Sequence, residues 1–283
     1  CRLMFLKIHK KMISFEKPLL MGILNTTPDS FSDGGSLYSD GVLSLDLILE
    51  MASRMVSGGA DILDIGGESS GPDSKNVSLE EEILRVVPAI SAIRERFSVD
   101  QVLISVDTCK AEVARQAILA GADLVNDVTA LRGDPKMAFA LAEADVPVIL
   151  MYSKDSTART TREVREYEDV MTTICHFFKE RIAFAESQGI ARKSIFLDPG
   201  LGFFVSGEPK YSFEILDRLE EFQRFQLPIV LGPSRKSFLG GLLDQRLEKT
   251  IAACRKAASK GVSVLRVHDV GAVREALLED FQL

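Results

Sequence analysis

Eight short apolar runs punctuate this 283-residue chain, and each is followed by a polar or helical stretch. They are PLLMGILN (18–25), DILDIGG (61–67), VLISVD (102–107), DLVNDV (123–128), PVILMY (147–152), SIFLDPG (194–200), PIVLGPS (228–234) and VSVLRVHD (262–269). All are continuous in hydrophobicity and rich in Ile, Leu and Val, as strands buried on both faces must be. Strands that alternate with helices pair in parallel. Eight such units fit a closed (β/α)8 TIM barrel, which takes about 250 residues as one domain. An open doubly wound sheet is the alternative the pattern leaves. The expectation is a single α/β barrel over 18–283, preceded by a ragged N-terminal extension at 1–17.

The segments between the runs support this. Ile83, Val86, Val87, Ile90, Ile93 and Phe97 form one stripe of a helix over 79–97. Ser78 and Glu81 stand before it at the spacing of a capping box, and Pro88 is expected to bend it. Residues 168–187 and 212–225 carry similar apolar faces. Gly59, Gly121 and Gly261 each stand between a helix and the next strand, where a left-handed cap suits glycine.

Composition removes several classes of function. Apolar residues make up 46% of the chain, enough for a large core, and the net charge is −7. No run of Lys and Arg could track a nucleic acid, so an anionic ligand must be held by a few local groups. Cys1, Cys109, Cys175 and Cys254 are widely spaced, with no CxxC pair and no zinc spacing. Free thiols in a reducing compartment follow, with Cys109 read as a packing residue. No apolar stretch reaches the roughly 18 residues of a membrane span, and the first residues do not read as a signal peptide. The expectation is a cytoplasmic protein. Neither a GxxxxGK[ST] loop nor a GxGxxG fingerprint occurs.

Chemistry gathers where the apolar runs end. Asn25 ends the first; Asp64 lies within the second and Glu68 just after it. Asp107 ends the third, Asn126 and Asp127 the fourth, and Asp198 the sixth. Ser234, Arg235 and Lys236 follow the seventh, and Arg266, His268 and Asp269 close the eighth. In a barrel these positions converge on one mouth. Singly, a strand-end Asp or Asn often only caps the following helix; together they describe a site. Asp64 is expected to point outward as a structural residue.

Two halves can be read from the residue types. Asp107, Asn126 and Asp198 suit a ring with many N–H donors, such as a 2-amino-4-oxo-pyrimidine edge, and Lys236 can donate to its carbonyl or a ring nitrogen. Arg266, His268, Asn25 and the Thr26-Thr27 turn suit an anion such as a diphosphate. A magnesium ion there would take an oxygen ligand such as the Asn25 side chain.

These residues resemble the dihydropteroate synthase family. NTTPDSFSDGG (25–35) and DILDIGGESS (61–70) are similar to its two signatures. SVDT (105–108), NDV (126–128), LDPGLGF (197–203), SRKSFLG (234–240) and RVHDV (266–270) follow in the family's order. The resemblance implies that (7,8-dihydropterin-6-yl)methyl diphosphate condenses with p-aminobenzoate to give 7,8-dihydropteroate, with Mg²⁺ as cofactor and a homodimer as the assembly. It implies that Asp107, Asn126, Asp198 and Lys236 hold the pterin. Asn25, Ser70, Arg266 and His268 would hold the diphosphate, with Asn25 on the metal. Ser70, Ser234 and Arg235 would line the p-aminobenzoate side, and Asp107, Lys236, Arg266 and His268 would act in catalysis. Loops around Asp29-Ser30-Phe31 and from Glu68 to Ser74 would close over the substrates.

The chain departs from the family's pattern at three places. Gly71 stands where the second loop usually has Arg, Val205 where Lys is usual, and Tyr152 where a His is common. GFFVS (202–206) and PDSKNVS (72–78) resemble the sulfonamide-insensitive synthases. A non-catalytic pterin-binding homologue and a methyltetrahydrofolate-binding methyltransferase barrel are the other readings.

Overall fold

The computed structural model describes residues 5–8, 11–27, 38–39, 42–242 and 245–281. An antiparallel hairpin, β1 (Phe5–Ile8) and β2 (Lys11–Ser14), comes first. Then follow β3 (Leu19–Asn25), a short antiparallel pair β4 (Tyr38–Ser39) and β5 (Val42–Leu43), and α1 (Leu45–Ser57). The rest alternates: β6 (Ile62–Gly66), α2 (Leu79–Arg96), β7 (Leu103–Asp107), α3 (Ala111–Ala120), β8 (Leu124–Asp127), α4 (Met137–Ala144), β9 (Val148–Met151), α5 (Val170–Ser187), β10 (Ile195–Asp198), α6 (Pro209–Asp217), β11 (Val230–Leu231), α7 (Arg246–Ser259), β12 (Val264–Val267) and α8 (Val270–Phe281).

Eight strands pair in parallel in the order β10-β9-β8-β7-β6-β3-β12-β11, and a Leu197–Ile229 bridge joins the two ends. The sheet therefore closes into the expected barrel, with the helices outside it. Outward-facing Leu20, Leu63, Ile104, Val125, Leu150, Leu197, Leu231 and Leu265 belong to the large cluster packed under the helices.

Side chains along a strand alternate in direction, so every second residue enters the lumen. One from each strand forms an apolar floor: Met21, Ile62, Leu103, Leu124, Ile149, Phe196, Val230 and Val264. Two residues further on, the layer turns polar at Asp64, Ser105, Asn126, Asp198 and Arg266. A further two bring Asn25, Asp107, Ser234 and His268 to the mouth.

Leu6, Ile8 and Ile13 of the hairpin pack under this floor, each under a tenth exposed, and Phe15 meets the Phe196 ring edge-on at 5.9 Å. Residues 5–14 are thus a plug, where a ragged extension was expected. Their apolar positions match the floor they cover.

The helices lie where their sequence signals stand, and two of them differ in detail. Ser78 caps α2 by accepting the Glu81 N–H at 3.1 Å, but the Glu81 carboxylate pairs with Arg85 and does not complete a capping box. The expected helix over 212–225 is two pieces, α6 and a 3₁₀ segment (Leu219–Phe225). Gly121 ends α3 at φ 115°, a backbone that a side chain at this position would strain.

Candidate active site

Arg266 occupies the centre of the polar layer. Its Nε donates to Asp64 Oδ2 at 2.6 Å and its Nη2 to Asp107 Oδ2 at 2.7 Å. Asn126 Nδ2 donates to the same Asp64 oxygen at 3.2 Å. Asp64 is fully buried and lumenal, which corrects the expectation that it points outward. It stands two residues beyond Ile62 of the floor, so strand alternation dictates its direction. Burial raises the Asp107 pKa; Arg266 opposes that rise, and Asp64, Glu82 and Asp127 add to it.

Asp198 is buried at the end of β10, its Oδ1 accepting the Gly200 N–H at 2.8 Å. Burial raises its pKa against the pull of Lys236. Lys236 comes from the loop after β11, donates to the Leu201 carbonyl at 3.1 Å and lies 5.0 Å from the Phe204 ring centroid. Burial lowers its pKa to about 8. Asp107, Asn126, Asp198, Lys236 and Arg266 therefore meet in one lumen. Asp127 does not join them. It faces outward and accepts the Thr129 and Leu131 N–H groups, both at 2.8 Å, organising a turn in which Ala130 and Leu131 are left-handed.

At the mouth beyond β11 and β12, Ser234 Oγ accepts the His268 backbone N–H at 3.1 Å and lies 3.0 Å from His268 Nδ1. With the hydroxyl proton given to Nδ1, the ring keeps its proton on Nε2; this tautomer is assigned from the network. Burial lowers the His268 pKa to about 4, and Arg235 and Arg266 push it the same way. The Arg235 guanidinium is held by Asp269, Nε to Oδ2 at 3.0 Å. Asn25 Oδ1 lies 3.4 Å from the position a Cβ would take at Gly66, which places the amide at the end of the neighbouring strand β6. The Thr26 N–H and hydroxyl both bond to the Gly66 carbonyl, at 2.8 and 3.1 Å. Asp29, Ser30 and Phe31 lie outside the described residues.

The second loop is braced rather than loose. Lys110 joins Glu68, at 2.6 Å, to the buried Glu82 of α2, which also accepts the Thr108 hydroxyl at 2.6 Å. Ser70 offers its carbonyl to the Thr160 N–H at 3.1 Å. Beside Lys236 an apolar slot runs between Pro72, Leu201, Phe203 and Phe204, with Thr160 and Ser237 at its edge. Ser234 and Arg235 are not among its lining residues.

Two departures from the family pattern belong to one piece of packing. The Tyr152 and Tyr167 hydroxyls are 3.0 Å apart, and Tyr167 donates to the Val205 carbonyl at 2.5 Å. Gly71 has open space around its missing Cβ, apart from Ser69 Oγ at 3.5 Å. Sequence reasoning missed the lumenal Asp64, the Lys110–Glu82 brace and the slot's Phe204. None of the three left a local signal, because a strand apolar on both faces does not show which residues enter the lumen.

The family model described as pterin binding enzyme matches residues 21–268. The chain belongs to the pterin-binding enzymes. Within them it stands among the dihydropteroate synthases. That of a Synechocystis species is 40% identical over 92% of this chain and 88% of its own. The Yersinia pestis dihydropteroate synthase, solved with a sulfonamide drug, superposes with a TM-score of 0.89 at 38% identity, covering 99% of each chain. The Xanthomonas albilineans enzyme, solved with 4-aminobenzoic acid, gives 0.87 at 36%, covering 99% of this chain and 98% of the other. Among the described residues no helix is long and apolar enough to cross a membrane.

Proposed function

We propose that this barrel joins (7,8-dihydropterin-6-yl)methyl diphosphate to p-aminobenzoate, forming 7,8-dihydropteroate and pyrophosphate. The observation that carries the reading is the meeting of Asp107, Asn126, Asp198, Lys236 and Arg266 in one lumen, with His268 beside them.

Asp198 and Asn126 would take the pterin's amino-pyrimidine edge, and Lys236 would donate to its carbonyl or ring nitrogen. Asp107 would face the methylene carbon. As the carbon–oxygen bond breaks, its electron pair leaves with the diphosphate and a delocalised pterin cation remains. The aniline nitrogen then attacks the methylene and gives up a proton. Such a path needs charge stabilisation more than a strong base, and the site holds carboxylates for the cation and Arg266 with His268 for the leaving group. Ser70, on the braced second loop, would stand at the anion's side.

Among the described residues no three His, Cys, Asp or Glu side chains form a metal cage. Mg²⁺ is often held by one or two protein oxygens with substrate phosphates and water, and the Asn25 amide oxygen suits that. When bound, Mg²⁺ would offset the diphosphate's charge. The slot between Pro72, Phe203 and Phe204 would take the aryl ring of p-aminobenzoate. Ser234 would act through His268 and Arg235 through Asp269, rather than by lining that slot. A homodimer working in the cytoplasm completes the proposal on the strength of the family resemblance.

The test is to incubate the protein with the pterin diphosphate, p-aminobenzoate and Mg²⁺ and to measure dihydropteroate. Product that requires both organic substrates supports the reading. Pterin binding without product would favour the non-catalytic homologue.

A further inference from the structure

We infer that Asp64 is the positioning residue of the pterin site, acting within the lumen's polar layer through Arg266 and Asn126; the inference rests on the reading of the lumen as that site. Asp64 is fully buried, and a single oxygen, Oδ2, accepts both Arg266 Nε at 2.6 Å and Asn126 Nδ2 at 3.2 Å. Among the described residues no other side chain hydrogen-bonds to both groups. A guanidinium on a long stem has many rotamers. Two carboxylates, Asp64 in the same layer and Asp107 above, fix its plane with the fork Nε and Nη2. Asn126 is fixed the same way: because its nitrogen faces Asp64, its oxygen is left for a ligand donor.

The second Asp64 oxygen stays outside this bonding. Here Oδ1 has no partner among the described residues, and neither has the neighbouring Ser105 Oγ, which occupies the paired register position on β7. Leaving a buried acceptor unmade is costly. Both unpartnered atoms lie in the lumen's polar layer, above an apolar floor that offers nothing polar.

The experiment is a titration of the protein with the pterin diphosphate alone, followed by steady-state kinetics with p-aminobenzoate. Asp64→Asn keeps the shape and removes the charge. It is expected to weaken pterin affinity about tenfold or more, as loss of a charge-assisted bond does, with the KM for p-aminobenzoate held within about twofold. In an Arg266→Met, Asn126→Ala background the same change should cost pterin affinity no more than about twofold, because a residue acting through others is non-additive with them. An equal penalty in both backgrounds, or a p-aminobenzoate KM that moves with pterin affinity, overturns the inference. If Asp64→Asn does not fold, Arg266→Lys decides: lysine keeps the charge without the fork, so affinity should fall nearly as far as in Arg266→Met, and near-parental affinity overturns the inference. Parental protein that binds the pterin but makes no product defeats the proposed reaction and leaves this inference standing.

Discussion

Arg266 Nη2 meets Asp107 Oδ2 at 2.7 Å although 159 residues separate them. β12 and β7 lie three steps apart round the barrel, with β3 and β6 between them. The bond therefore crosses the lumen. It sets a guanidinium and a carboxylate side by side, where the proposed reaction would place a leaving diphosphate and the cation that its departure creates.

From this pair follows a first prediction. Asp107→Asn keeps the side chain's shape and removes its charge. Turnover should fall by about a hundredfold, the usual size for one electrostatic group in a closed site. Steady-state kcat measures it, and a fall of less than about threefold would remove Asp107 from the mechanism.

Lys236 sets a pH limit. Its free-protein pKa is lowered to about 8 by burial, so the charged form that donates to a ligand is lost as pH rises past that value. kcat/KM for the pterin substrate, which reports the free enzyme, should decline above about pH 8. In Lys236→Arg the decline at that pH should disappear. For stability the sign is opposite: between about pH 8 and 10.5 the unfolded chain binds more protons at this residue. Lys236 alone thus makes the free protein more stable as pH rises through that window.

His268 should stay neutral through the physiological range. Burial lowers its pKa to about 4 against an ordinary 6.5. NMR titration of its ring protons should show a midpoint near 4, and a midpoint near 6.5 would mean that the ring is not buried as described. Between these values the unfolded chain binds the extra proton, so the residue's contribution to stability is full above 6.5 and is lost as pH falls towards 4.

Removing residues 1–14 tests the plug. Leu6, Ile8 and Ile13 are each under a tenth exposed against the floor. Burying each such side chain stabilises by about 1.5–3 kcal/mol before the entropy of ordering the hairpin is subtracted. The truncated protein should lose about 2–4 kcal/mol in urea unfolding, with KM values little changed. A selective rise in the pterin KM would show that the plug also shapes the site.

Much of this was legible because parallel barrel strands are buried on both faces and read as plain apolar runs. All eight lie where VLISVD, SIFLDPG and their counterparts stand. The same property hid Asp64. A strand apolar on both faces carries no alternation to say which residues enter the lumen; the phase came only from the register Asp64↔Ser105 and the contact with Arg266. The plug escaped because Leu6, Ile8 and Ile13 look ordinary until a floor exists to receive them. The long loop between β9 and α5 carries no period. Its order comes from cross-loop bonds such as Thr160 to Phe203 O at 2.8 Å and Lys154 N to Phe204 O at 2.8 Å, which no local pattern encodes.

The plugged floor makes the lumen a blind well, open at one end only. Whatever binds deepest must enter first, and whatever sits above it must follow. On the proposed assignment, with the pterin deep against Asp198 and Asn126 and the aryl ring beside the mouth, loading would follow one order, pterin before aryl amine. An aryl compound that settles early would stand in the doorway, so a large excess of the second substrate should slow the first turnover rather than speed it.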